Sequence, residues 1–297
     1  MNSVDVIERA RDRQLAKRPL TDLGNAERMI DAHGTDLRHC SDVGRLCWDG
    51  QKWALDKTKE WERRAQRTVR DLYASTSKIS DPKLRQATRD WARKSESLGK
   101  LTAMCAVAES LEGVTVTTEQ LDADPFALNV TNGTVDLRTG KLRPHNPNDL
   151  ITKVAGAAYD PRATCPTFEA FLRSIFANDE ELIGFVQRFV GYALTGDVRE
   201  QVLLFCHGGG ANGKSTFIDC VIDLLGGFGG YAAPSAPGLL VAKNNEQHPT
   251  ELADLRGARL VTCVEIGDGK RFDEEKVKSL TGGDCIKARF MRADFFS

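Results

Sequence analysis

Residues 208–216 read Gly208-Gly209-Gly210-Ala211-Asn212-Gly213-Lys214-Ser215-Thr216, which fits G-x-x-x-x-G-K-[ST], and its flanks decide how the stretch folds. Ahead of it, Val202-Leu203-Leu204-Phe205 predicts a short apolar strand over 201–206. Behind it, Phe217, Ile218, Val221, Ile222 and Leu225 recur at helical spacing and predict a helix over 214–225. Glycines let the backbone curl so that successive N–H groups converge on phosphate oxygens, where side chains would obstruct. The following helix adds its positive end to the same anion. Lys214 is expected to reach the β- and γ-phosphates and the Ser215 hydroxyl to ligate magnesium. The stretch from Gly208 to Thr216 is therefore the expected site for ATP with Mg2+. A glycine-rich turn without a ligand is the competing reading, and the strand-before, helix-after context argues against it.

A second acidic element is expected at the end of a neighbouring buried strand. The run 259–264 is apolar and ends in Glu265, fifty residues after Ser215, leaving room for another strand and helix between them. Glu265 is expected to activate a water, to hold magnesium through water, or both. The more usual acidic pair is absent, because Val264 precedes Glu265 and the next carboxylate is Asp268. A helix is predicted over 273–280 and a strand or hairpin over 285–296. Strands alternating with helices argue for a mostly parallel sheet. The expected fold class is thus α/β, a P-loop ATPase (AAA+-like) parallel sheet flanked by helices, preceded by a mainly helical domain with a small β-rich segment.

Toward the N-terminus the pattern changes. Residues 1–21 read as a charged lead-in. Asp49-Gly50 between Trp48 and Trp53 predicts a hairpin turn. Trp61, Ala65, Val69, Leu72 and Tyr73 predict a helix over 57–73, with further helices around Trp91 and over 98–111. Between Lys59 and Lys100 twelve Lys or Arg face six Asp or Glu, which fits a nucleic-acid-facing surface or solvated helix faces; the interspersed carboxylates favour the second. Residues 126–160 read as a β-rich segment with a hairpin over 134–143 around Thr139-Gly140. A boundary is expected at 161–166, followed by amphipathic helices over 167–176 and 179–194. The expected domains are the lead-in 1–21, a helical and β N-terminal domain 22–165, and an ATPase core 166–297.

The chain of 297 residues is 41% hydrophobic and 28% charged, with net charge −1, so it is globular and any nucleic-acid contact must come from local basic patches. Eight cysteines form no C-x-x-C pair, and several sit in apolar runs (LLFC, LVTC), so free thiols packed as small apolar residues are expected, not a zinc site or a disulfide framework. No apolar run approaches the ~20 residues of a membrane helix and the first residues lack a signal-peptide core, so a cytoplasmic protein without a membrane partner is expected.

The motifs together resemble the superfamily 3 DNA helicases, in the phage and plasmid primase branch that includes the poxvirus-type helicase-primases. GYALTGDVREQVLLFCHGGGANGKSTF (191–217) looks like that branch's first motif, and LRGARLVTCVEIGDGKRFDEEKVKSLTGGDCIKARFMRADFF (255–296) like its second motif running into its DNA-contacting motif. TDLGNAERM (21–29), WDGQKW (48–53), NVTNGTVDLRTGKL (129–142) and ITKVAGAAYDPRATCP (151–166) resemble the region that precedes this ATPase. The resemblance implies an ATP-hydrolysing helicase motor of phage or mobile-element replication, a homo-oligomer forming a hexameric ring on single-stranded or forked DNA, beside a separate primase or polymerase, in a bacterial or infected host cell. It implies that Lys278, Lys287, Arg289 and Arg292 face the channel and hold the DNA backbone; the run 276–292 carries five Lys or Arg and one carboxylate, Asp284. It also implies a sensor asparagine and a trans-acting arginine further along, which the residues to Ser297 do not contain. A chain of this extent is expected to bind ATP with little helicase activity alone. The rival expectation is a non-enzymatic module that binds nucleotide or DNA and acts through assembly; a packaging motor is a third, disfavoured by the motif after Glu265.

Overall fold

The computed structural model describes residues 18–236, 238–242, 252, 255–263 and 271–282. It divides into two compact units, 1–121 and 122–297, so the junction expected at 165/166 falls inside the second.

The first unit begins with helix α1 (Asp22–His33), whose N-cap Thr21 accepts the Gly24 N–H at 3.0 Å. A three-stranded antiparallel meander follows: β1 (Leu37–Cys40), β2 (Gly44–Trp48) and β3 (Trp53–Leu55). The expected hairpin is present with Trp48 opposite Trp53. The Asp49 carboxylate closes its turn by accepting the N–H groups of Gln51 and Lys52, each at 2.8 Å. Helices α2 (Glu60–Ser75), α3 (Pro82–Ser95) and α4 (Leu98–Ala108) complete the unit. Ala26 and Met29 of α1, Leu37 of β1, Trp61, Ala65 and Val69 of α2, and Met104, Cys105 and Ala108 of α4 form its core. The four tryptophans of the chain, Trp48, Trp53, Trp61 and Trp91, all lie in this unit.

Helix α1 is tied down by buried polar groups. Asn25 donates to Ser95 Oγ at 2.9 Å and accepts Trp91 Nε1–H at 3.0 Å. The fully buried Arg28 donates to Asn25 and to the carbonyl oxygens of Arg18 and Pro19. Burial lowers its pKa to about 10. A Cβ at Gly24 would stand 1.9 Å from the Pro19 carbonyl oxygen, so only glycine allows the lead-in to cross the helix there.

The second unit opens on a second antiparallel meander, β4 (Ala127–Val130), β5 (Gly133–Asp136) and β6 (Lys141–Arg143), with Thr134 opposite Arg143 as the turn residues predict. Helices α5 (Pro166–Ile175), α6 (Glu180–Ala193) and α7 (Lys214–Leu224) follow. Strands β7 (Ala232–Pro234) and β8 (Leu260–Thr262) pair in parallel, and α8 (Glu274–Thr281) closes the described chain. Leu128, Val130 and Val135 of the meander pack in one core with Leu172, Val186, Phe217, Val221, Leu225 and Tyr231.

The fold is mixed α/β, with helices and small sheets. The parallel pairing among the described residues is the two-stranded β7–β8 sheet, narrower than the sheet expected. The strand expected over 201–206 does not form: Val202, Leu203 and Phe205 are exposed, because no described strand pairs with their backbone. Cysteine packing divides likewise. Cys40 and Cys105 are buried as expected, whereas Cys206 and Cys263 are exposed because the runs that carry them are not covered. Among the described residues no helix is long and apolar enough to cross a membrane.

Candidate phosphate-binding loop

Helix α5 forms the floor of the loop. Its Phe168 stacks on Phe217 of α7 with centroids 6.5 Å apart and an interplanar angle of 15°, which fixes α7 against α5. Gly213 then lies so close to α5 that a Cβ there would meet Ile175 at 2.5 Å and Phe171 at 3.2 Å. Gly213 is left-handed (φ 81°) and serves as the N-cap of α7 without a side-chain cap. The first-turn N–H groups of the helix therefore open onto the loop. Ala211 is left-handed too (φ 57°), and Gly208 has φ 144°. Alternation of right- and left-handed residues turns successive N–H groups toward a common concave side, the nest geometry that suits an anion.

The Lys214 side chain folds back over this loop. Its Nζ donates to the carbonyl oxygens of Gly208 at 3.0 Å and Gly209 at 3.3 Å and to Asn212 Oδ1 at 2.9 Å. A Cβ at Gly208 would collide with the Asn212 amide at 2.4 Å, so the glycine makes room for that side chain. Gly209, Gly210, Ala211 and Asn212 are exposed at the rim, and Ser215 and Thr216 are exposed on the first turn of α7. The nine residues from Gly208 to Thr216 are thus gathered around the start of one helix. A triphosphate with magnesium fits this donor set: an ammonium, a nest of N–H groups and an adjacent hydroxyl. The role of Phe171 and Ile175 as the wall behind Gly213 is readable in sequence only as the apolar face of α5.

Glu265, Lys287, Arg289 and Arg292 lie outside the described residues. Lys278 is described, exposed near the end of α8. The end of that helix is linked to the segment ahead of the loop, since Gln201 Nε2 donates to the Gly282 carbonyl at 3.0 Å. Strand β8, expected to lead into Glu265, is held by Arg259 at its start. Arg259 N–H donates to the Tyr231 carbonyl at 2.7 Å and Nη2 to the Ala127 carbonyl at 2.8 Å. The strand is therefore anchored at its beginning to β4 and to the residue preceding β7.

Comparison with known proteins adds a second line. The family model described as "D5 N terminal like" matches residues 26–177, which ends ahead of the loop. Among curated proteins, "Putative helicase L207/L206" of Acanthamoeba polyphaga mimivirus is 27% identical over 175 residues, 57% of this chain and 18% of that protein. "Putative helicase 121R" of Invertebrate iridescent virus 3 is 26% identical over 176 residues, again 57% of this chain and 18% of that protein. The chain therefore matches less than a fifth of the length of these relatives.

Proposed function

The chain belongs to the D5 N terminal like family, and from that premise we propose that it is part of a helicase-type replication protein whose second unit binds ATP with Mg2+. The names of the two viral relatives support the helicase-related role. The observation that carries the nucleotide reading is the loop at 208–213, with left-handed Ala211 and Gly213 and the Lys214 amine drawn over it. Lys214 and the loop N–H groups hold the phosphates, Ser215 supplies a magnesium ligand, and Glu265 serves as the acidic partner in hydrolysis.

In the same reading this second unit is a superfamily 3 ATPase core. It works as a homo-oligomeric, hexameric ring on single-stranded or forked DNA, in phage or mobile-element replication in the cytoplasm of a bacterial or infected cell. A primase or polymerase acts beside it. Lys278, Lys287, Arg289 and Arg292 carry the strand by its phosphates, independent of sequence.

Titration calorimetry with ATP and Mg2+ tests the nucleotide reading. The parent chain should bind and Lys214→Ala should bind much more weakly, since the charge that compensates the phosphates is gone. Equal affinity in the two proteins refutes the assignment.

A further inference from the structure

The basic run between Lys59 and Lys100 is not uniformly solvated. Some of the arginines in and around it are neutralised: Arg45 pairs with Glu62 and Glu109, and Arg63 and Arg64 both pair with Glu60. A second group behaves otherwise. Arg67 and Arg70 on the outer face of α2, and Arg89 and Arg93 one turn apart on α3, are not ion-paired with any carboxylate among the described residues. Asp90, within the same stretch of α3, is engaged by the Gln86 amide at 3.0 and 3.1 Å.

Two of these cations, Arg89 and Arg93, converge on one ring. The guanidinium carbons of Arg89 and Arg93 each lie 6.0 Å from the centroid of Tyr73, which is 38% exposed. Arg70 precedes Tyr73 by three residues on α2 and Arg67 precedes Arg70 by three, so neighbours in the row stand about 5–6 Å apart. The Nε of Arg89 is buried without a hydrogen-bond partner. Packing against a ring leaves the outer donor edges of a guanidinium free, the edges that match phosphate oxygens in pairs. Grouping four unneutralised cations costs Coulomb energy, which a polyanion returns. The chain's net charge of −1 means that this field is local, not a general basic coat. The exposed side chains interspersed on α2, Gln66 and Ala74, are polar or small, unlike the large apolar core of a protein interface.

We propose that the patch formed by Arg67, Arg70, Tyr73, Arg89 and Arg93 in the first unit is a binding surface for the phosphodiester backbone of a single nucleic-acid strand. It is separate from the loop at Gly208 to Thr216 and needs no nucleotide.

The test is fluorescence anisotropy of the full chain with a labelled single-stranded DNA, titrated over a range of salt in the absence of ATP. Two charge-reversal pairs, Arg67→Glu with Arg70→Glu and Arg89→Glu with Arg93→Glu, are compared with Lys83→Glu and Lys94→Glu, exposed lysines on α3 that change the net charge equally. Circular dichroism melts confirm folding, and the first pair lies wholly on the exposed face of α2. Each lost phosphate contact should lower the slope of log K against log salt by about 0.7, so a pair should lower it by roughly 1.4, alike on mixed and homopolymeric strands. An unchanged slope in the folded arginine variants, or an equal fall in the lysine control, overturns the proposal. So does a loss confined to duplex DNA in a parallel titration. Because no nucleotide is present, failure of the Lys214 reading leaves this outcome unaffected.

Discussion

The guanidinium of Arg259 lies 4.3 Å from the ring centroid of Tyr231 while donating to the carbonyl oxygens of Leu194 and Ala127. The Tyr231 hydroxyl in turn accepts the Asn129 N–H at 3.1 Å, and burial pushes its pKa up to about 12. One cation thus joins the end of α6, β4, Tyr231 and the start of β8.

Replacing Arg259 with Met should keep much of the packing and strip two carbonyl oxygens of their donor. The expected cost is roughly 2–4 kcal/mol, from unsatisfied buried acceptors. Hydrogen exchange should rise first at Ala127–Val130 and at Ala232 and Ala233. Unchanged protection in both strands would show that the clamp is not what holds them.

Two glycines should respond with opposite signs. Gly24→Ala drives a methyl into the Pro19 carbonyl and displaces the turn that Arg28 grips, so a loss of about 2–3 kcal/mol is expected. At Gly99, in the first turn of α4, an added Cβ meets nothing within 4 Å, and alanine should gain up to about 1 kcal/mol. Thermal melts of the two single variants decide; a shift of the same sign in both contradicts the geometry.

Acid should weaken the first unit through Asp56. Burial opposes its ionisation, but the N–H groups of Trp61, Glu60 and Thr58 outweigh that and lower its pKa. Its stabilising effect is therefore complete above the unfolded-state value near pH ~4 and is lost as pH falls through the lower folded-state value. Asp56→Asn should cost about 1 kcal/mol at neutral pH, as for a lost helix cap, and the gap from the parent should close on acidification. A gap constant from neutral pH to below pH ~3 rules out the carboxylate as its origin.

Glu265→Gln should leave ATP binding intact and reduce hydrolysis steeply, as expected of a group needed mainly in the transition state. Equal turnover by variant and parent transfers the acidic role to another carboxylate, with Asp268 next.

What could be read without coordinates was local. Asp49-Gly50 and Thr139-Gly140 announce their hairpins because turn chemistry acts over a few residues, and the helices follow from apolar spacing. The glycines of 208–213 likewise announce a loop, with left-handed backbone at Ala211 and Gly213. The run 201–206 stays irregular because an apolar run becomes a strand only beside a partner, which periodicity cannot supply. Strand β7, Ala232–Pro234, carries no β-branched residue and so gives no strand signal in the sequence. The Arg259 clamp was hidden because its acceptors are backbone atoms 65 and 132 residues away. Charge counts over Lys59–Lys100 allow a nucleic-acid-facing surface but favour solvated faces, since they do not distinguish a neutralised arginine from one held over the Tyr73 ring.

The segregation of Trp48, Trp53, Trp61 and Trp91 makes the two units optically distinct. Indole emission is a signal of residues 1–121 alone, whereas far-ultraviolet circular dichroism sums over both units. A denaturant curve followed by each probe will superimpose only if the units melt as one cooperative body.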